Sequence, residues 1–197
     1  MPPRKAHIER ATKETKLHLE LDLDGDGKFS GHIGIGFLEH MFDLLARHAH
    51  IDLAIEAAGD LHVDPHHTIE DLGIVLGQAL AQALGDKRGI TRFGEAAIPM
   101  EETLARCAVD LCGRPYLHYN VPLAKERVGD FETELTEDFF RALAMNAALT
   151  LHLELVYGKN GHHIVEALFK AFARALRQAI ALDPRAGGDV PSTKGVL

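Results

Sequence analysis

A chain of 197 residues, 46% apolar and 25% charged, is long enough for a sizeable core and has the composition of an ordinary globular protein, which excludes a disordered one. A formal net charge of −8 argues against nucleic acid as a partner, because neutralising phosphates needs a basic face. No apolar run is long enough for a membrane span and Met1–Arg10 lacks the apolar core of a signal peptide, so no membrane partner is expected and the location read from the sequence is cytoplasmic.

In chain order, residues 14–25 read as a strand running into a turn. Asp22, Asp24, Asp26 and Gly27 begin like a calcium-binding loop, but the twelfth position is Ile33 and not Glu. A hairpin turn is expected instead, leading to a returning strand over 28–35. The Gly-rich stretch 31–36 lacks the spacing and the Lys-Ser/Thr pair of a phosphate loop, and reads as the end of that strand. A helix over 38–46 follows, carrying Glu39 and His40, then an alternating strand over 51–57. Residues 66–84 have helical periodicity and open on His66-His67-Thr68-Ile69-Glu70.

After a join at 86–94 the pattern repeats. Residues 102–113 lie over 14–25, and 114–121 form the second returning strand. A helix over 136–144 lies over 38–46 with Asp138 opposite His40, a strand runs over 149–156, and 162–180 lies over 66–84, displaced by 96 positions and opening on His162-His163-Ile164-Val165-Glu166. Each half therefore reads strand, strand, helix, strand, helix. Such units predict an α+β fold with helices packed on sheets, built as pseudo-twofold repeats: 1–90, 91–183, and a Gly- and Pro-rich tail over 184–197.

On a helix, residues four apart share a face, whereas neighbours diverge by roughly 100°. His66 and Glu70 can share one ion while His67 faces another, and the same holds for His162 and Glu166 against His163. With His40 and Asp138, eight groups are available for two ions. Imidazole and carboxylate without thiolate suit Mn²⁺, Fe²⁺ or Zn²⁺, and open octahedral positions favour Mn²⁺. One such cassette is a weak signal; two at matched positions of a duplicated unit make a strong one. His152, opposite Ala54, reads as a strand histidine, and His7, His18, His32, His50, His62 and His118 as surface or strand residues. Cys107 and Cys112 fit no metal or disulfide spacing and are assigned to packing. Arg92, Arg114 and Lys170 stand where a small anion could be held, and Ser192, Thr193, Lys194 and Gly195 form a candidate phosphate cradle.

The stretches Gly36-Phe37-Leu38-Glu39-His40-Met41, HHTIED, GKNGHHIVEALFKAFARALRQA, Cys112-Gly113-Arg114-Pro115-Tyr116-Leu117 and the terminal PSTKG together resemble the imidazoleglycerol-phosphate dehydratase family over essentially the whole chain. The resemblance implies a ribosomal protein S5 domain 2-like fold, two Mn²⁺ ions per active site, and sites built from neighbouring subunits of a 24-subunit assembly. It implies conversion of D-erythro-imidazoleglycerol phosphate to imidazole-acetol phosphate in histidine biosynthesis. The carbon 2 proton is not acidic until an imidazolate has expelled the neighbouring hydroxyl to leave a diazafulvene, and metal on the ring favours the imidazolate. By the same resemblance Glu14 is the base that removes that proton, His48 lies near the substrate, and Arg92, Arg114, Lys170, Ser192, Thr193 and Lys194 hold substrate and phosphate. Glu102, the repeat of Glu14, is given no role. Asp138 stands where some members carry a metal-binding His. The phosphatase domain fused to some members is not expected. Two other readings compete: a dinuclear metal hydrolase of a small phosphorylated substrate, and a metal-storage protein of the all-helical Glu-x-x-His type.

Overall fold

The computed structural model describes residues 3–197. The first half consists of Lys5–Ala11 (β1), Thr15–Asp22 (β2), Phe29–His32 (β3), Gly36–Ala49 (α1), Asp52–Gly59 (β4) and His66–Leu84 (α2). The second consists of Phe93–Met100 (β5), Thr103–Asp110 (β6), Tyr116–Asn120 (β7), a short hairpin of Arg127–Val128 (β8) and Phe131–Glu132 (β9), Leu135–Ala147 (α3), Thr150–Tyr157 (β10) and Gly161–Ile180 (α4). Two four-stranded sheets result, ordered β1-β2-β4-β3 and β5-β6-β10-β7. Each four-stranded sheet carries one more strand than the repeat pattern predicts, and the second half adds the β8–β9 pair. β1 and β5 are edge strands whose inward residues are Ala6, Ile8 and Arg10, and Gly94, Ala96 and Ile98, too small or polar to give an apolar alternation.

The expected hairpin between β2 and its returning strand does not form. β3 pairs in parallel with β4, which runs between it and β2. Asp52 explains the detour: its Oδ1 accepts the backbone N–H groups of Asp26 and Lys28, both at 2.9 Å, and so pins the connection over the start of β4. The hairpin in this half is β1–β2, with Arg10 opposite Leu17 and His7 opposite Glu20.

Helices pack across the halves. α2 lies on β1 and β2 and against α3; α4 lies on β5 and β6 and against α1. The α2–α3 approach is close because Gly73 and Gly77 face it. A Cβ at Gly73 would lie 2.5 Å from the Phe139 carbonyl oxygen, and one at Gly77 2.7 Å from that of Leu143. Gly73→Ala is therefore expected to cost about 1–3 kcal/mol by overpacking, despite the better helix propensity of Ala. A urea unfolding midpoint no lower than the parent's would contradict this.

The duplication extends to details. α1 ends on His50 (φ 56°) and α3 on Ala148 (φ 48°), both left-handed, with N–H groups donated to the carbonyls of Ala46 and Ala144. These are C-caps that glycine usually supplies, kept here by side-chain-bearing residues in both copies. The tail folds back onto the join: Gly89 N–H donates to Asp189, Asp183 N–H to Gly89, and Ile90 bridges Leu182. Both cysteines are free and buried, and burial pushes the Cys107 thiol up, in keeping with packing. No helix among the described residues is long and apolar enough to cross a membrane.

Candidate metal centre

Each cassette occupies the first turn of its helix, held by the residue two positions before it. Asp64 Oδ1 accepts the N–H of His66 at 2.8 Å, and Asn160 Oδ1 accepts those of His162 at 2.9 Å and His163 at 3.4 Å. The neighbouring imidazoles diverge as the helix demands: His66 and His67 lie 6.0 Å apart with ring planes at 85°, His162 and His163 6.1 Å apart at 84°. In each copy the first histidine turns to a helix of the other half, and the second to a carboxylate of its own half.

The first histidine of the second cassette meets His40. Glu166 Oε2 lies 3.1 Å from His162 Nε2 and 3.4 Å from His40 Nε2, while Oε1 accepts from Lys170 Nζ at 2.5 Å. Two donors bound to one ion at about 2.0–2.2 Å stand about 3.3 Å apart, so these separations match donors sharing a cation with little rearrangement. Glu166 is only 5% exposed. Burial pushes its carboxyl up, but Lys170, His162 and His40 outweigh this and hold it below the usual carboxylate range. His48, in the last turn of α1, is driven below the ordinary histidine range by burial and by the positive charges of Lys170 and Arg174. The β8–β9 turn closes the site from the side. Asp130 caps α1 from 94 residues away, its Oδ2 taking the N–H of Gly36 at 2.9 Å, and Phe37 packs on Phe131 and on the His162 ring, 5.0 Å between centroids.

Around the first cassette the counterpart is looser. His66 Nδ1 is 3.9 Å from Asp138 Oδ2, so the repeat of His40 does face the repeat of His162. These two border a cleft also lined by Tyr119 and Glu137. His67 Nδ1 is 3.1 Å from Asp60 Oδ2 and 3.9 Å from Glu14 Oε2; the hydrogen bond to Asp60 raises its pKa. Glu70 joins no such group, and of the eight expected ligands only His40, His162 and Glu166 gather three donor atoms within 4.8 Å of one another among the described residues.

Glu102 has a partner after all. Its Oε2 stands 2.7 Å from His163 Nδ1 and its Oε1 accepts the N–H of Asn160 at 2.9 Å, which together hold its carboxyl down to about 2, and the carboxylate in turn raises His163. The β5–β6 hairpin, unread in the sequence, is what carries it there. Its alignment with Glu14 was the available signal: both hairpin glutamates approach the second histidine of their half. Asp60 was missed because its loop position carries no pattern. With Nδ1 engaged by a carboxylate, each of these rings offers Nε2 to an ion, the usual outer support of a metal-binding imidazole.

The anion candidates divide. Lys170 is at the Glu166 cluster. Arg92, bonded to Asp110 through Nε at 2.7 Å and to the Pro191 carbonyl through a terminal nitrogen at 2.8 Å, ties the tail with Ser192, Thr193 and Lys194 to the far end of β6. Arg114 follows Gly113 at that end, where a Cβ on Gly113 would be 2.9 Å from the Leu197 carbonyl carbon. Thr103, beside Glu102, and Asp110, beside Arg92, are the two ends of β6. Seven steps at about 3.3 Å separate the metal-facing end from the anion-facing end by about 23 Å.

Comparison with known protein families matches residues 33–176 to imidazoleglycerol-phosphate dehydratase. The chain belongs to the imidazoleglycerol-phosphate dehydratase family. Family members of that name from Heliobacterium modesticaldum and Xanthobacter autotrophicus are 60% and 58% identical over 194 residues, 98% of this chain and 100% and 98% of theirs. The solved imidazoleglycerol-phosphate dehydratase of Staphylococcus aureus superposes with a TM-score of 0.83 at 45% identity, covering 91% of this chain and 99% of that one. That of Pyrococcus furiosus gives 0.80 at 37% identity, covering 96% and 100%. The stretch matched to the imidazoleglycerol-phosphate dehydratase family holds both cassettes, His40, Asp138 and Lys170, but neither Glu14 nor the tail. Those lie in the wider span shared with the full-length relatives.

Proposed function

We propose that this chain dehydrates D-erythro-imidazoleglycerol phosphate to imidazole-acetol phosphate in histidine biosynthesis, using Mn²⁺ held by its two cassettes. One observation carries the reading: in a chain of this family, a buried Glu166 oxygen is shared between His40 and His162 at metal-ligand separations. His40, His162 and Glu166 would hold one ion, and His66, Glu70 and Asp138 its counterpart, with His67 and His163 turned to further metal positions. Mn²⁺ there would act as a Lewis acid toward the nitrogens of the substrate ring.

This chain's own groups supply the rest. Glu14, at the β1–β2 turn with its carboxylate toward His67, would accept the carbon 2 proton. Burial and the neighbouring cations disfavour the charged form of His48, which would leave its imidazole free to accept a hydrogen bond from substrate. Arg114 and the Ser192–Lys194 tail, anchored through Arg92, present donors to the phosphate. Metal-facing and anion-facing ends about 23 Å apart cannot both reach one small molecule. The reading therefore includes sites shared between copies, and the family resemblance implies that the copies number 24.

The test is direct. Mn²⁺-loaded protein incubated with imidazoleglycerol phosphate is expected to yield the enolisable ketone with phosphate retained; free phosphate instead would favour the hydrolase, and no product with any divalent metal would sink the reading. Metal retention carries a pH signature as well. His67 and His163 have raised pKa values, so protons compete for their nitrogens across the neutral range, and Mn²⁺ content at limiting free metal should fall as pH drops from about 8 to about 6. A flat content would remove these two imidazoles from the ligand set.

A further inference from the structure

The outer face of the first sheet carries a group of side chains that the helix-borne cassettes do not use. β1 and β2 pair so that His7 stands opposite Glu20 and Glu9 opposite His18, giving a two-by-two quartet on the solvent side. The two imidazoles meet edge to face, 4.5 Å between centroids. A single carboxylate oxygen, Glu20 Oε1, lies 3.7 Å from His7 Nδ1 and 3.5 Å from His18 Nε2. On the other side, Glu9 Oε1 lies 3.6 Å from His7 Nε2 and 3.9 Å from His18 Nδ1.

We propose that His7, His18 and Glu20 form a second, surface site for a borderline divalent cation of the Zn²⁺ class, with Glu9 as the outer partner of both imidazoles. Donors sharing a tetrahedral ion at about 2.0–2.2 Å stand about 3.3 Å apart; both imidazole nitrogens lie within a few tenths of an ångström of that distance from Glu20 Oε1, and the three donor atoms all lie within 4.8 Å of one another. Each imidazole turns one nitrogen to Glu20 and the opposite one to Glu9. An ion on the Glu20 side leaves the remaining N–H of each ring aimed at Glu9, the carboxylate–histidine–metal arrangement that fixes tautomer and ring orientation. Three protein ligands leave the fourth position to water. Two imidazoles with one carboxylate select Zn²⁺, Ni²⁺ or Cu²⁺ over Mg²⁺ or Ca²⁺, which take all-oxygen shells. Among the neighbouring charges, Lys5 is engaged with Asp22 at 3.0 Å, Lys16 stands two residues before His18 on the same face, and Glu56, opposite His18 on β4, adds negative charge. The bound ion would clip the edge strand β1 to β2.

The site is tested against a background of cassette-bound metal. Mn²⁺-loaded protein and its His7→Ala, His18→Ala and Glu9→Gln variants are dialysed against Zn²⁺ near neutral pH and their metal is counted. Exchange of Mn²⁺ for Zn²⁺ at the cassettes is common to all and cancels in the difference. The parent is expected to hold one Zn²⁺ per chain more than either histidine variant, and Glu9→Gln to bind that extra ion about 10–100-fold more weakly. All three positions are solvent-facing on strands, so the variants keep their fold, which their unchanged circular dichroism would report. Retention by either histidine variant of the parent's full Zn²⁺ content overturns the proposal.

Discussion

Glu166→Gln is expected to empty the His40–His162 centre of metal and to lower turnover of imidazoleglycerol phosphate by at least about 10²-fold, the upper end of what loss of a mere outer partner costs a metal site. The substitution keeps volume and removes charge. Glu166 Oε2 is the one atom within reach of both imidazoles, and its carboxylate sits in a pocket that leaves it 5% exposed. An amide in its place has one oxygen to offer, and its NH₂ must face either the imidazoles or the Lys170 ammonium. Either orientation sets donor against donor, because Lys170 and a metal-competent site both need an acceptor there. Lys170 is then left partly buried without its anion, so a stability loss of about 1–3 kcal/mol should accompany the loss of metal. Elemental analysis of the purified variant, with kcat/KM, checks both. Glu154→Gln is the control: that carboxylate faces His118 across the outer side of the second sheet and should leave metal and turnover unchanged. A Glu166→Gln protein that retained metal and turnover would remove this cluster from the reaction.

The residues of this centre were legible because their chemistry is periodic. Helical spacing separates His66 from His67 and His162 from His163, and the ring planes, nearly perpendicular in both pairs, follow from it. Duplication led from one cassette to the other and from His40 to Asp138, and the cross-half contacts of both with the opposite cassette bear out that alignment. Pairings that depend on long-range topology stayed hidden. β1 and β5 bury too little apolar surface to announce themselves, so neither the β5–β6 hairpin that delivers Glu102 to His163 nor the β1–β2 register that gathers His7, His18 and Glu20 could be read. The local turn chemistry of the Asp-rich loop after β2 was equally compatible with a hairpin; the decision lay with Asp52, 26 residues beyond Asp26. Asp130 capping α1 from the other half is of the same kind. In each case the missing information is which strand lies beside which, and no periodicity carries that.

Mixed assemblies should recover activity that neither parent variant has. If one site draws its metal cluster from one copy and its anion cradle from another, Glu166→Gln and a cradle variant such as Arg92→Ala each inactivate every site when alone. Arg92 makes the choice for the cradle because it holds the Pro191 carbonyl and so positions Ser192 to Lys194, while its own Asp110 pairing keeps it at the end of β6 remote from Glu166. In a randomly mixed assembly with equal amounts of the two, a site works only when its metal cluster comes from the cradle variant and its cradle from the Glu166 variant. Each condition holds for half of the sites, so about a quarter of parent activity should return in a closed symmetric assembly of equivalent interfaces. Co-expression of two differently tagged chains, with purification on both tags in succession, yields such particles. A chain that built its whole site from its own residues would give none, since every copy would carry one lethal defect. Recovery therefore reports directly on the separation of the two ends of β6, and its absence in particles that contain both chains would require Arg92 and Glu166 to serve the same site from one copy.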